Sequence, residues 1–227
     1  MQVTEIFRSI QGEGTRAGLP CIFVRLTGCN LRCVWCDTAY AFYGGEKATI
    51  EQVIARVREL SASPAAGVNV QLVEITGGEP MLQPETPALT KALLEAGYTV
   101  MIETSGERPI QSLPREVIKI VDVKCPDSGE ADSFRADNLK ALSGEDEVKF
   151  VISTRRDYEF SREFLQKHRL HDRVRQVIFS PVAPDPEGTW QGLEAKRLAE
   201  WILSDGLPVR LGLQLHKVIW DPDARGV

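Results

Sequence analysis

Two stretches of this chain share one layout, and that layout narrows the folds open to it. Residues 21–27, Cys-Ile-Phe-Val-Arg-Leu-Thr, and residues 70–75, Val-Gln-Leu-Val-Glu-Ile, are short, apolar and rich in β-branched side chains, the pattern of largely buried strands. Each runs into glycine, at Gly28 in the first case and, after Thr76, at Gly77-Gly78 in the second. Between them Thr49 and Gln52 form a capping box, and Ile50, Val53, Ile54 and Val57 recur at helical spacing up to about residue 60. A small-residue loop, 61–67, then leads to the second strand. A second helix follows, with Thr86 as its cap, Pro87 in the first turn and Gly97 as its stop. Further strands are expected at 98–102, 117–123, 147–152, 174–180 and 208–215, and helices around 158–168 and 193–203, while 107–116 shows no helical pattern. Strands alternating with helices predict a mainly parallel sheet. One crossover lacks a helix, and 227 residues fall short of the roughly 250 of a closed eight-stranded barrel. The expectation is therefore one α/β domain over residues 1–227, folded as an incomplete, open TIM-like barrel.

Composition removes several classes of function. With 43% hydrophobic and 26% charged residues the chain can bury a substantial core. A net charge of -5 without a Lys/Arg run argues against a nucleic-acid surface. No apolar run approaches the roughly 18 residues of a membrane span. Glu5 and Arg8 interrupt the N-terminal stretch where a signal peptide needs an apolar core, so the protein is expected in the cytoplasm. The five cysteines are an odd number, and three of them are grouped, which disfavours a disulfide framework.

That group is Cys29, Cys33 and Cys36, spaced C-x3-C-x2-C in the loop 28–38. Three thiolates on one short loop fit three corners of a metal cluster and supply no local fourth ligand. A structural zinc site asks for four closed ligands, and an electron-carrying iron–sulfur cluster usually has four cysteines. Three ligands leave one metal atom open to a small molecule. Cys125, followed by Pro126, stays in view as a distant fourth ligand. Upstream, Gln11-Gly12-Glu13-Gly14 pairs backbone freedom with polar side chains suited to the edge of a flat heterocycle. Arg25 is the one charge inside an apolar strand; it answers either to an internal carboxylate or to the carboxylate of a substrate, and the second is favoured here. Glu103, at the end of a strand, is equally a ligand contact or a solvated side chain.

The triplet, with Trp35 just ahead of its last cysteine, resembles the radical S-adenosylmethionine (SAM) superfamily. That resemblance implies a [4Fe–4S] cluster on Cys29, Cys33 and Cys36, whose open iron is chelated by SAM. One-electron reduction then yields a 5′-deoxyadenosyl radical that abstracts hydrogen. The Thr76-Gly77-Gly78-Glu79-Pro80 segment lies where such enzymes contact the SAM amino group.

The joint pattern of Ile10-Gln11-Gly12-Glu13-Gly14, Arg25, the cysteines with Asp37-Thr38, Thr76 to Pro80, Glu103-Thr104 and Gln214-Leu215-His216-Lys217 is similar to the 7-carboxy-7-deazaguanine synthases. That family implies a homodimeric lyase on a shortened, modified radical SAM barrel, in the route to queuosine and other deazapurines. The reaction converts 6-carboxy-5,6,7,8-tetrahydropterin to 7-carboxy-7-deazaguanine and ammonia, with SAM regenerated and Mg2+ assisting. By the same resemblance Trp35, Cys36, Asp37, Gly78, Cys125, Pro126, Asp127, Ser180 and Pro181 contact SAM, and Thr38 gives Mg2+ a hydroxyl ligand. Ile10, Gln11 and Gly12 read the pterin edge, Arg25 and His216 clamp its carboxylate, and Thr76 and Pro222 close the pocket, with the tail 213–227 completing it. An electron donor such as flavodoxin or ferredoxin is implied, with no nucleic-acid or membrane partner. Two departures stand out: Cys125-Pro126-Asp127 replaces the Ser-Pro-Lys of some relatives, and the chain continues through Arg225 where some relatives end. Two rivals remain open, another radical SAM enzyme of the activase kind and a non-catalytic iron–sulfur protein with Cys125 as fourth ligand.

Overall fold

A computed structural model describes residues 1–62, 69–185, 188–190, 192–221 and 224–227. Most of the expected 61–67 loop, and Pro222 with its expected pocket contact, lie outside the described residues.

The elements run in the order β1 (Gln2–Ile10), β2 (Pro20–Leu26), β3 (Glu46–Lys47), α1 (Ile50–Ser61), β4 (Leu72–Gly77), α2 (Thr86–Glu95), β5 (Thr99–Thr104), β6 (Ile118–Asp122), β7 (Glu147–Ile152), α3 (Arg155–His168), β8 (Gln176–Pro181), α4 (Ala195–Asp205), β9 (Arg210–Leu211) and α5 (His216–Ile219), joined by short 3-10 turns. Among the described residues they form one sheet in the order β3-β1-β2-β4-β5-β6-β7-β8-β9. From β2 to β9 every pairing is parallel, whereas β1 and β3 add on antiparallel. The sheet does not close on itself, as an incomplete barrel requires.

The two faces of the sheet differ because successive strand residues point to opposite sides. On the outer face Ile22, Val24 and Leu26, Val73 and Ile75, Val100 and Ile102, and Phe150 and Ile152 form the main core. It is closed by Val53 and Val57 of α1, Leu89 and Leu93 of α2, Tyr158 and Leu165 of α3, and Leu198 and Ile202 of α4. The inner face begins as a small apolar floor of Cys21, Leu72, Met101, Ile118 and Ile120, against which Phe23 packs. Towards the C-terminal strand ends the same face turns polar, carrying Arg25, Glu74, Thr76, Glu103, Asp122, Lys149 and Ser180. Apolar residues low on the inner face and charges high on it dictate where a polar ligand sits.

Three local expectations change. The capping box of α1 is present as read, with Thr49 and Gln52 exchanging bonds, but Thr86 does not cap α2. Glu85 takes that position without a side-chain bond, and the buried Thr86 hydroxyl instead donates to the Pro80 carbonyl at 2.6 Å. The last strand is also far shorter than 208–215. Only Arg210 and Leu211 pair with β8. At Gly212 the Ser180 hydroxyl stands 2.4 Å from where a Cβ would lie, and the chain then leaves the sheet to start α5 at His216. Finally, β1 forms a nine-residue strand where no strand was expected.

Candidate active site

The loop after β2 carries the three cysteines. All three are half-buried and free of disulfides, and the Cys36 N–H returns to the Cys33 carbonyl at 3.3 Å, which turns the loop back on itself. Burial pushes each thiol up from its ordinary range, Cys33 to about 11, while the Lys124 ammonium pulls all three down. Ligation must therefore expel three protons, as thiolate binding always does. Among the described residues no three His, Cys, Asp or Glu side chains converge as a single metal ion would need. A cluster asks something different, because each thiolate then ligates a different iron, and three soft sulfur donors on one loop suit iron–sulfur chemistry. The donor set fits a cluster and lacks what zinc requires.

Gly78 holds this loop from the side of β4. A Cβ there would lie 2.2 Å from the Gly28 carbonyl oxygen and 2.8 Å from Cys29 Cβ, so only glycine permits the approach. The Glu79 N–H donates to that same Gly28 carbonyl at 2.8 Å. The Glu79 carboxylate is fully engaged elsewhere, accepting from the Met81 and Ser105 N–H groups and the Thr104 and Ser105 hydroxyls at 2.6 to 2.9 Å. The Gly-Gly-Glu-Pro segment thus serves as a brace between β4 and β5 as well as a close backbone approach.

Cys125 occupies the outer core, with its sulfur 3.4 Å from the Ser161 hydroxyl of α3. Burial drives its thiol far above the ordinary range. Asp127, two residues on, accepts from Arg156 at 3.0 Å and from the Thr154 hydroxyl. Thr38 lies beside the loop and donates to Asp37 at 2.8 Å. Ser180 and Pro181 end β8 on the same rim.

The segment after β1 closes the inner face from above. Gln11 and Leu19 pair at 2.8 Å to form a short excursion, 11–19, which reaches across to β7. There Lys149 donates to Glu13 at 2.8 Å and also to Glu103, and Thr15 N–H and hydroxyl donate to Glu147. Burial opposes charge on Lys149, but Glu103 and Glu13 hold it well above its usual range. Glu13 is held low in turn, because Lys149 outweighs burial. Glu74 goes the other way: burial, reinforced by the Glu103 charge, raises it to about 8, and the Gln11 side-chain amide donates to it. One lysine faces three carboxyls here, and burial favours the protonated form of Glu74 most strongly. Asp122 gives one oxygen to Lys124 at 2.7 Å, and its other, Oδ1, is buried with no partner, an acceptor open to a ligand's donor.

Arg25 faces Thr76 in the parallel register and Glu5 in the antiparallel one. Its Nε donates to Glu5 Oε1 at 2.7 Å, the oxygen that also accepts from the Tyr40 hydroxyl at 2.7 Å. Both the carboxylate partner considered from sequence and a position on the ligand-facing side are thus present in one residue. The tail completes the rim. Leu215 N–H donates to the Gly12 carbonyl at 3.1 Å, and His216 packs so closely that its Nδ1 would meet a Gly12 Cβ at 2.6 Å. Burial lowers His216, favouring neutral imidazole. Sequence reasoning brought together Ile10, Gln11, Gly12, Arg25, Thr76 and His216, and missed Glu74, Asp122 and Lys149. Their signal was present in part, since each is a charge within a strand made mostly of apolar residues, although Asp122 and Lys149 share their strands with a second charge, Lys119 and Glu147.

The Radical SAM superfamily family model matches residues 23–126, from β2 through the cluster loop to Pro126. A 7-carboxy-7-deazaguanine synthase of Koribacter versatilis is 53% identical over the whole of both chains. This chain belongs to the 7-carboxy-7-deazaguanine synthase family. A synthase of Chlorobaculum tepidum is 40% identical, covering 100% of this chain and 97% of its own. The crystal structure of QueE from Escherichia coli superposes with a TM-score of 0.72 at 25% identity, covering 94% of this chain and 93% of that one. Family membership makes the chain a radical SAM enzyme using a [4Fe–4S] cluster and SAM on a small-molecule substrate, with a reductant.

Proposed function

We propose that this chain is the lyase that contracts 6-carboxy-5,6,7,8-tetrahydropterin to 7-carboxy-7-deazaguanine and ammonia in deazapurine biosynthesis. The observation that supports this is that His216 packs on Gly12 while its neighbours Gln214 and Lys217 reach Asp37, next to Cys36 of the cysteine loop. Substrate and product differ by the elements of ammonia alone, so the overall change needs no net oxidant and SAM acts catalytically. Cys29, Cys33 and Cys36 would hold the cluster, which together with SAM supplies the hydrogen-abstracting radical.

The protein's own part is to bind, orient and exclude water. Trp35, Asp37, Gly78, Cys125, Pro126, Asp127, Ser180 and Pro181 bound the SAM region, with Cys125 acting through its backbone because its sulfur faces Ser161. Backbone groups of Ile10 to Gly12 meet the pterin edge. Arg25, already charged and planar, shares its carboxylate-binding fork between Glu5 and the substrate carboxylate, and neutral His216 donates a second bond. Thr76 borders the pocket; Pro222, given the same task by the family resemblance, lies outside the described residues. Thr38 offers Mg2+ one hydroxyl, with substrate oxygens and water supplying the rest, as suits a cation that keeps its hydration.

One domain spanning residues 1–227, a homodimer, a flavodoxin- or ferredoxin-like donor and a cytoplasmic setting belong to the same reading. Among the described residues no helix is long and apolar enough to cross a membrane. The test is anaerobic reconstitution with iron and sulfide, then reductant, SAM, Mg2+ and 6-carboxytetrahydropterin, with products followed by mass spectrometry. Product in excess of SAM consumed is expected; 5′-deoxyadenosine without product would refute the substrate.

A further inference from the structure

The motif Gln214-Leu215-His216-Lys217 contains two polar side chains to which the reading above gives no task. Both reach the cluster loop. Gln214 Nε2 donates to Glu13 Oε1 at 2.9 Å and to Asp37 Oδ2 at 3.4 Å, and Lys217 Nζ lies 3.3 Å from the same Asp37 oxygen. One amide nitrogen thus joins the substrate-side excursion 11–19 to the cluster loop 28–38. Those two segments carry carboxylates that repel each other, for the Asp37 charge disfavours ionised Glu13. Lys149 neutralises Glu13 from the β7 side and Lys217 neutralises Asp37 from the tail. Among the described residues, Gln214 alone hydrogen-bonds to both. It is the right group for the task, because a primary amide offers two N–H donors and no charge. Further along, the Arg225 guanidinium stacks 4.2 Å from the centroid of the Tyr40 ring, so the tail has a second anchor on the cluster-loop side.

We propose that Gln214 is a positioning residue whose amide fixes the separation between the substrate-binding segment and the cluster loop, and so the distance over which hydrogen is abstracted. This rests on the substrate reading above only in assigning the ligand of the 11–19 segment. Hydrogen transfer needs reacting atoms within about 3–3.5 Å, and a misplacement of about 1 Å costs on the order of a hundredfold. Loosening this bridge leaves both ligands bound and misaligned, so the radical takes a hydrogen atom from the protein, or an electron and a proton from reductant and water, and leaves as 5′-deoxyadenosine before it meets its substrate.

The test compares the full-length wild type with Gln214→Ala, Gln214→Glu and Gln214→Asn. In the reconstituted proteins, with dithionite, SAM and 6-carboxytetrahydropterin, the readout is 5′-deoxyadenosine released per product formed. The ratio should rise by about tenfold or more in Gln214→Ala at unchanged iron content and SAM affinity. Gln214→Glu keeps the size and adds a third negative charge, so it should be at least as severe, with Gln214→Asn between Gln214→Ala and wild type. The second readout needs neither cofactor nor substrate: in the metal-free protein, amide exchange of 11–19 and 215–220 should accelerate together, with β4 to β6 unchanged. A wild-type ratio and wild-type exchange in Gln214→Glu would overturn the proposal. If the wild type cleaves SAM without making product, the substrate reading fails instead, and exchange still decides the role of Gln214.

Discussion

At the scale of single residues, the polar inner face is organised by how four ionisable groups divide their charge. Lys149 is nearly buried between Glu13 and Glu103, with Glu74 close by. Removing the cation strands two partly buried carboxylates, so Lys149→Met should cost about 3–5 kcal/mol in urea unfolding. A loss under about 1 kcal/mol would show that water already neutralises them. Glu74 gives a pH signature of opposite sign to an ordinary salt bridge. Its folded value of about 8 lies above the reference value of 4.5, so between those pH values the folded state holds one more proton than the unfolded state. Stability should therefore fall as pH rises from 4.5 towards 8 and level off above. Glu74→Gln, isosteric and neutral, should flatten that decline when unfolding midpoints are compared at acidic, neutral and alkaline pH; an unchanged slope would assign the decline to other groups.

At the scale of elements, the site depends on backbone approaches that leave no room for a side chain. Gly78→Ala places a methyl group against the Gly28 carbonyl and Cys29 Cβ, both fixed by the main chain. The cluster loop must move, and reconstituted iron content should drop well below that of wild type while circular dichroism is retained. Full iron loading would mean that the loop yields freely. Much of this arrangement was legible beforehand, because β2 and β4 are apolar runs that end in glycine and deliver the cysteines and Gly78 to one rim. β1 was not, since Gln-Val-Thr-Glu-Ile-Phe-Arg-Ser-Ile breaks the expected alternation. Its polar residues Gln2, Thr4 and Glu5 are half-buried and spent on partners, Gln2 on Gly44 and Gly45, Thr4 on Thr27 and Glu5 on Arg25, and Arg8 is exposed. The final strand was over-read for the converse reason. Leu211, Leu213 and Leu215 alternate as a strand would, but only Leu211 packs against the core, and Leu213 is 44% exposed. Gln11 and Arg25 were singled out from sequence while Lys149 was not, although the same argument from a charge in an apolar strand applies to it. Its partners come from the 11–19 excursion and β5, distant in sequence, so nothing local marked the pairing.

For the whole molecule, core and site share the strands of the sheet on opposite faces, and the tail adds to the site alone. Among the described residues, the apolar core draws its last contributors from α4 and the stretch through Leu211, and none from the tail. A chain ending at Gly212 should therefore melt cooperatively within a few degrees of wild type and load its cluster, yet form no deazapurine. Loss of the cooperative transition would show that the tail is part of the folding unit. The polar rim also sits above an apolar floor on the same strands, so a one-residue register slip would exchange the two faces along the sheet.

The bridge from Gln214 to Asp37 spans 177 positions of sequence, and that separation has a meaning in time. At about 5–20 residues per second of synthesis, the cysteine loop emerges roughly 10 to 35 s before the residue that ties it to the substrate segment. The three cysteines therefore exist for that interval before the residue that ties their loop to the substrate segment has been made. With Gln214 in the role proposed for it, the gap between the two segments is set only when the tail arrives.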